Sequence, residues 1–492
     1  MSATTQYFII IILYFVAMLG VGFIFNRKVS SDMDYFLAKD KLGPAAIGFS
    51  FSATQMSGST YLGAVGQCKV LGYNFIPAAI ASASAPWFSY ILVGDRMRKV
   101  SSRLKSVTLS DVFEARYGKS SSLISVAIII IASIPMIAAQ LKAAANSFEV
   151  LLGIPYWAGL LVFGGIVILY TVLGGMFAVA WTDLIQGIIM IVGFAILAPV
   201  AVSAAGGFSQ MHAAYAQINP AGMGFTGVMP LLWVVSGFWV YGFFQIGGSP
   251  ASTTRFLITS DDKTLKKALV YSVGFQSFIY ICFTLIAIAA GVLLPALENT
   301  DMTVPMLMQN LLPPIVGGIV LAAALGAMMS TIDSILLMTG SLVTNNIYVK
   351  MMHGESNSKK GLTISRVVTL VIGLLGLVVA INPPASVLWI VTISFSLMAS
   401  AFTFPLMLGL WWPKCTKAAG TAGIIGGAVA CVFWYVMGYV QFQSFSNWPL
   451  GIWPAIFGGV VSLIICVVVS LFTKKPSQEV IDVFFDDILI KD

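Results

Sequence analysis

A run of small and hydroxyl-bearing residues in the second half of the chain has the spacing of a single helix face. At positions i, i+3, i+4 and i+7 stand Ala327, Ser330, Thr331 and Ser334, and this spacing puts them on one side of a helix. Asp333 lies at the edge of that face. Hydroxyl and carboxylate oxygens are the ligands that a hard cation prefers. The run therefore indicates a cation site, and the alternative is that each hydroxyl bonds a carbonyl of its own helix.

Two polar, glycine-bearing segments interrupt apolar runs at 48–60 and 242–250. Their glycine, serine and proline residues disfavour regular helix. Backbone carbonyls freed by a helix break can complete a cation site, and in the first segment we expect those of Ala53 and Met56 to do so. Tight packing of small residues against a neighbouring helix is the alternative for either segment alone.

Three ionisable residues lie inside apolar runs, where charged groups are costly and usually functional. They are Lys142, Asp183 and Asp333. Asp183 could join the cation site, or it could only mark a helix cap at the membrane interface. Lys142 could bind a solute carboxylate, or it could extend its side chain to the surface.

The composition excludes most soluble protein classes. The chain has 492 residues, of which 58% are apolar and 9% charged, whereas soluble proteins carry about 25% charged residues. The net charge of +7 comes without a dense basic tract containing aromatics, so nucleic acid is not an expected partner. Five cysteines and two histidines have no disulfide or metal-ligand spacing. Because the apolar runs contain no histidine and no nucleophile–base pair, we do not expect an enzyme.

Helices that span a membrane need about 20 mostly apolar residues, and this rule predicts thirteen spans. Their approximate bounds are 5–26, 44–70, 73–94, 121–148, 157–176, 178–205, 228–250, 268–295, 316–345, 367–382, 386–412, 417–439 and 449–474. The first span lacks a basic leading region and a cleavage site, so we expect it to be retained. All but Lys69 and Lys142 of the 26 basic residues follow odd-numbered spans. Since basic connections favour the cytoplasm, the prediction is a cell-membrane protein with its N-terminus outside and its C-terminus in the cytoplasm.

The two interrupted runs begin two series of five spans, which is the organisation of inverted repeats in secondary transporters. Spans 2–6 and 7–11 would form the two repeats. The chain is then divided into five parts: a leading helix and connection (1–43), the first repeat (44–205), the second repeat (228–412), two trailing helices (413–474) and a cytoplasmic tail (475–492).

Five segments of the chain resemble the sodium:solute symporter family, which includes sodium/pantothenate, sodium/proline, sialic acid and sodium/glucose cotransporters. The most specific is 170–186, which reads YTVLGGMFAVAWTDLIQ and is similar to the family signature. The others are 34–37 with 42–44, 53–58, 327–334 and 408–414. The likeness extends from about residue 6 to residue 470. It implies an all-α integral membrane protein with a LeuT-type inverted-repeat core.

The resemblance also implies sodium-coupled symport by alternating access, with Na+ as the coupling ion and no organic cofactor. It assigns the principal sodium site to five residues: the carbonyls of Ala53, Met56 and Ala327 and the hydroxyls of Ser330 and Thr331. Likeness to sialic acid transporters implies a possible second cation site at Asp183, Ser330, Asp333 and Ser334. At one of these positions this chain has an aspartate where the sialic acid transporters have a serine. The number and kind of coupling ions therefore stay open: one sodium ion, two sodium ions, or a proton on one of the carboxylates.

The expected solute is a small carboxylate such as pantothenate or a monocarboxylate. The stretches 303–305 and 321–331 look most like the pantothenate carriers, whereas Gln55 stands where the proline carriers have aspartate. Proline or another compact zwitterion is the second candidate solute, and a sugar or sialic acid is the third. Outside the class of transporters, the alternative is a channel. The candidate substrate contacts are Gln55, Ser57, Gln140, Lys142 and Gln245. The expected partners are the solute and the lipid bilayer, and a monomer could suffice.

Overall fold

The computed structural model describes residues 2–26, 31–37, 42–383 and 385–489. Over these ranges the chain is helical and contains no β-strand. The first half contains α1 (Ala3–Asn26), α2 (Asp32–Leu37), α3 (Pro44–Gln55), α4 (Val65–Leu71), α5 (Ile76–Ser89), α6 (Asp95–Leu104), α7 (Leu109–Tyr117), α8 (Lys119–Leu152), α9 (Tyr156–Ala204) and α10 (Phe208–Ile218). The second half contains α11 (Leu231–Tyr241), α12 (Gln245–Gly248), α13 (Pro250–Leu257), α14 (Asp262–Leu293), α15 (Thr303–Leu311), α16 (Pro314–Ser341), α17 (Lys359–Ile381), α18 (Val387–Trp411), α19 (Lys417–Phe442), α20 (Pro454–Phe472) and α21 (Gln478–Leu489).

The long helices account for the predicted spans. In the part of the chain that the structure describes, ten helical stretches are long and apolar enough to cross a membrane. One of them, α9, covers predicted spans 5 and 6, and Gly175 interrupts it with φ 61° and ψ −166°. The predicted broken spans 2 and 7 are the shorter helices α3–α4 and α11–α13. The helices therefore agree with the predicted order of spans, while thirteen membrane crossings remain a prediction.

Helix α16 lies at the centre of the molecule. Every residue from 320 to 341 is buried, and the helix packs against α1, α3, α8 and α9. Alanine and glycine are frequent in its sequence, and small residues allow neighbouring helices to approach closely. The predicted hydroxyl face is thus held among several helices and away from lipid.

Helix α7 is fixed to the segment that continues α16. Lys350 Nζ lies 2.7 Å from Asp111 Oδ1 and 2.9 Å from Glu114 Oε2. Burial lowers the pKa of Lys350, but the negative charges of Asp111 and Glu114 more than offset it, so the pKa is raised above the usual 10.5. These ion pairs connect α7 to the end of the helical segment that follows α16, on the predicted cytoplasmic side.

One basic residue does not lie where the sequence predicted it. Arg255, which we expected in the connection after span 7, lies in α13 and is only 1% exposed. The reason is that Pro250 begins a further helix instead of ending the span, since proline is favoured at the first helical position. Five of the basic residues used for orientation lie outside the described residues: Arg27, Lys28, Lys39, Lys41 and Lys491.

Replacing Gly175 with Ala should destabilise the protein by roughly 1–3 kcal/mol, because its backbone conformation is essentially restricted to glycine. The added Cβ would also lie 2.8 Å from Tyr35 Cδ2 and 2.9 Å from Tyr35 O. The measurement is the melting temperature of purified protein in detergent. Gly165→Ala in the same helix is the matched control, since nothing lies within 4 Å of its Cβ position. Equal melting temperatures for the two variants would contradict this account of the junction.

Candidate functional site

The first repeat begins with a helix that breaks inside the protein. Helix α3 ends at Gln55, and Met56 has φ −81° and ψ 78°, outside the helical region. The next helical segment begins at Ser59. The break coincides with Ser57 and Gly58, residue types that stabilise helix interiors poorly. The predicted interruption of span 2 is confirmed and falls at Met56–Gly58.

The break releases two backbone carbonyls. In a continuous helix the amides of residues 57 and 58 would donate to the carbonyls of Ala53 and Thr54. Instead, Ser57 N–H donates to Gln55 O at 3.1 Å. Gly58 N–H donates to the side-chain oxygen of Gln140 at 2.6 Å. The Ala53 and Thr54 carbonyls therefore face partners from elsewhere in the protein.

Those partners are the hydroxyls of α16. Ser330 Oγ donates to Ala53 O at 3.0 Å, and Thr331 Oγ1 donates to Thr54 O at 3.1 Å. Both hydroxyls are also within bonding distance of Ala327 O, at 3.2 and 3.1 Å. The bonds within α16 that we named as an alternative are thus present together with contacts across to α3. Carbonyl and hydroxyl oxygens of two helices converge here, which is the kind of ligand set that a sodium ion requires.

Two of the four residues of the possible second cation site contact Arg255. Asp183 Oδ2 and Ser334 Oγ lie 3.4 and 2.6 Å from the same guanidinium nitrogen of Arg255. Asp333 Oδ2 accepts a hydrogen bond from the hydroxyl of Tyr170. Within the described chain, no group of three His, Cys, Asp or Glu side chains could hold a metal ion. A guanidinium therefore contacts two of the four predicted ligands.

A cavity adjoins the broken helix. Gln55, Ser57 and Gln245 line it, and so does Thr331, whose hydroxyl also belongs to the convergent oxygen set. The rest of the wall combines hydroxyl groups with aromatic and aliphatic side chains, among them Ser59, Thr60, Tyr241, Ser249, Tyr280, Leu388, Thr392 and Phe395. None of the described residues in this wall carries a charged side chain. Three of the five predicted substrate contacts thus share one cavity.

The other two predicted contacts lie elsewhere. Gln140 binds the amide of Gly58 and is absent from the cavity wall. Lys142 Nζ lies 3.2 Å from Asp301 Oδ2 and donates to Ala385 O at 2.8 Å. Gln140 thus supports the helix break, and Lys142 is engaged by a buried carboxylate.

Two residues of the site were missed by reasoning from the sequence. Gln276 of α14 donates to Gln55 Oε1 at 2.7 Å and so orients the Gln55 amide. Its polar side chain inside a predicted span was the available signal. Arg255 was missed because its position after Pro250 suggested a connection between spans.

Replacing Lys142 with Met should destabilise the protein by about 3 kcal/mol, because it leaves the buried Asp301 without its cation. Removing the carboxylate as well, in Lys142→Met with Asp301→Asn, should recover much of this loss. Melting temperatures of the two variants and the wild type test this pairing. A double variant less stable than Lys142→Met alone would show that the ion pair is not what holds Lys142.

Comparison with known proteins places the chain among transporters. The model of the sodium:solute symporter family matches residues 35–427. The sodium/pantothenate symporter of Escherichia coli (strain K12) is 29% identical over 484 residues, covering 96% of this chain and 98% of that protein. A sodium/proline symporter of Staphylococcus aureus is 28% identical, with coverage of 96% and 94%.

Solved structures show the same fold. The substrate-bound outward-open state of a Na+-coupled sialic acid symporter matches with a TM-score of 0.81 at 21% identity, covering 96% of this chain and 99% of that one. The nucleobase-cation-symport-1 family transporter Mhp1, in a closed conformation, matches with a TM-score of 0.55 at 13% identity, covering 91% and 97%. The predicted LeuT-type, all-α membrane fold is confirmed. The chain is a multi-pass membrane protein, and its function is sodium-coupled solute symport. It belongs to the sodium:solute symporter family, whose members are transporters and not enzymes.

Proposed function

We propose that this protein imports a small carboxylate, such as pantothenate or a monocarboxylate, together with sodium by alternating access. The N-terminus would lie outside the cell and the C-terminus in the cytoplasm, with 44–205 and 228–412 as the inverted repeats. The observation that carries the proposal is that Thr331 belongs both to the convergent oxygen set and to the cavity wall. An ion bound there would lie beside the solute.

The proposed sodium ligands are the carbonyls of Ala53, Met56 and Ala327 and the hydroxyls of Ser330 and Thr331. The short distances from the two hydroxyls to Ala53 O and Ala327 O support four of these five ligands, and Thr331 also contacts the adjacent Thr54 O. A hydroxyl that donates to a carbonyl can turn its oxygen lone pairs toward a cation without moving the helix. Sodium would then join α3 to α16 and favour the conformation in which the cavity is formed. Affinities for sodium and solute are linked for that reason.

The cavity supports a solute that presents acceptor atoms. The Gln55 amide nitrogen is buried and has no hydrogen-bond partner, while its oxygen is held by Gln276. An unpartnered buried donor costs about 1–3 kcal/mol, which a solute carboxylate or carbonyl would recover. Sodium at Thr331 would supply the positive charge that the cavity wall lacks. Gln245 and Ser57 are the further proposed contacts.

A compact zwitterion such as proline is the second candidate. The likeness to proline symporters supports it, but its ammonium group would need an acceptor, and the Gln55 oxygen is already engaged. A sugar or sialic acid is the third candidate, supported by the mixture of hydroxyl and aromatic side chains in the wall.

Ser330→Ala and Thr331→Ala should each raise the sodium concentration for half-maximal uptake by roughly tenfold or more. Losing one interaction with a charged group costs about 1.5–3 kcal/mol, and 1.4 kcal/mol is a factor of ten. The measurement is sodium-dependent uptake of radiolabelled pantothenate in proteoliposomes. Thr339→Ala is the matched control, because this buried α16 hydroxyl bonds only its own helix, at Ile335 and Leu336. Unchanged sodium activation in both site variants would refute the assignment.

Small carboxylates should stabilise the purified protein against heat in sodium chloride and much less in potassium chloride. At 100 times its dissociation constant a ligand adds about 2.7 kcal/mol of stability. The screen compares pantothenate and monocarboxylates with proline, glucose and sialic acid. Gln55→Leu should remove most of the carboxylate effect. Stabilisation by proline alone would select the second candidate in place of the first.

A further inference from the structure

The first turn of α18 forms part of the cavity wall. One face of this helix lines the cavity, with residues at positions i, i+3, i+4 and i+7: Leu388, Val391, Thr392 and Phe395. Leu388 packs closely against the helical segment Ser59–Ala64, since a Cβ added to Gly63 would lie 2.9 Å from Leu388 N. That segment also contributes to the cavity wall. The position of the first turn of α18 therefore decides whether the wall is closed at this end.

Helix α18 receives its N-terminal cap from a distant part of the chain. Ser386 stands at the N-cap position, but its side chain makes no capping hydrogen bond, and its hydroxyl is buried without a partner. Instead, the Val387 amide donates to Asp301 Oδ2 at 3.1 Å. A carboxylate is favoured at a helix N-terminus because it accepts from unpaired amides and carries a negative charge. Asp301, in the connection between α14 and α16, therefore caps α18.

Lys142 holds this cap in place from a third element, α8. Its ammonium lies 3.2 Å from Asp301 Oδ2 and donates to Ala385 O at 2.8 Å. Asp301 is 1% exposed, and its Oδ1 is buried without a hydrogen-bond partner. Because a buried carboxylate is strongly unfavourable without a cation, the cap on α18 depends on Lys142.

The connection between α14 and α16 also contacts α4. Thr300 Oγ1 accepts from Gln67 Nε2 at 3.2 Å. Leu297 O accepts from Lys69 Nζ at 2.9 Å. Gln67 and Lys69 lie in α4, which directly continues the cavity-lining segment Ser59–Ala64. The connection thus joins α4 to α18 on the predicted outer side, beside the cavity.

We propose, resting on the proposed function, that Asp301 and Lys142 are positioning residues that close the outer side of the cavity. While Asp301 caps α18, the first turn of this helix stays packed against Ser59–Ala64, and a solute in the cavity is kept from the outside. Opening to the outside requires the carboxylate to leave the Val387 amide. Weakening the cap therefore favours the outward-open state without changing the groups that contact the solute.

The test measures access to the cavity from each side of the membrane. Thr392→Cys, in the cavity wall, is labelled with a membrane-impermeant thiol reagent in intact cells and in inside-out vesicles. Potassium chloride without solute is used, so that the result does not depend on which ion or solute is transported. The chain without this substitution gives the background, since its five cysteines are buried.

Asp301→Ala should raise the labelling rate in intact cells by roughly tenfold or more, the equivalent of one lost hydrogen bond to a charged group. Labelling in inside-out vesicles should become slower, because a shift toward the outward-open state depopulates the inward-open one. Asp301→Asn keeps an acceptor for the Val387 amide and should change both rates less. Adding Lys142→Met to Asp301→Ala should have little further effect on access, since both residues act through one cap.

Asp261→Ala is the matched control. Asp261 also caps a helix, accepting from the Thr264 amide at 2.8 Å, but it does so at the start of α14 on the predicted cytoplasmic side. This variant should leave labelling in intact cells unchanged. Unchanged labelling of Asp301→Ala would overturn the proposal, as would faster labelling from both sides, which indicates a general loosening. If Asp301→Ala does not reach the membrane, Lys142→Met with Asp301→Asn replaces it and should also label faster from outside.

Uptake of radiolabelled pantothenate keeps this proposal separate from the proposed function. Asp301→Ala should lower the maximal rate several-fold without raising the half-saturating concentration, because the proposed solute contacts are intact. If the wild type does not transport pantothenate but labelling changes as expected, the proposed solute is wrong and the role of Asp301 stands. If sodium drives pantothenate uptake but Asp301→Ala labels like the wild type, the role of Asp301 is wrong.

Discussion

The interruption of α3 at Met56–Gly58 is the constraint on which the rest of this structure depends. In a membrane interior, a backbone carbonyl that loses its helical partner must find another one. Here the carbonyls of Ala53 and Thr54 accept from Ser330 and Thr331, and the Gly58 amide is bound by Gln140. The break therefore requires a polar face on α16, and α16 must be buried among neighbouring helices for that face to avoid lipid. The same oxygens are suitable ligands for a sodium ion, and this is why we propose the sodium site at this position.

Three kinds of group around the break have separate tasks. The α3–α16 oxygens form the proposed ion site, and the cavity beside Thr331 is the proposed solute site. Arg255 supplies a fixed positive charge to Asp183 on the other side of Thr54. One residue, Thr54, contacts both Thr331 of the proposed sodium site and Arg255. Alternating access would then involve the two broken helices together.

The sequence was sufficient for the parts of the site that depend on local spacing. The hydroxyl face at Ser330 and Thr331 follows from helix periodicity, and the break near Met56 follows from glycine and serine in an apolar run. Partners from distant segments could not be inferred in that way. Asp301 lies far from Lys142 in the sequence, and no local sequence pattern indicates that they form an ion pair. Proline at position 250 is compatible with the end of a span or the start of a helix, and only the structure shows that it begins α13, which contains Arg255. Gln140 was assigned to the solute, but its contact is with the broken helix.

The central claim is that sodium binds where the broken helix meets α16, and hydrogen exchange of backbone amides tests it most directly. Purified protein in sodium chloride is compared with the same protein in potassium chloride at equal ionic strength. The account predicts slower exchange in sodium for peptides that contain residues 53–61, because the ion fixes the broken segment against Ser330 and Thr331. Thr331→Ala should lose this difference. Equal exchange of residues 53–61 in the two salts, in protein that otherwise responds to sodium, would contradict the account.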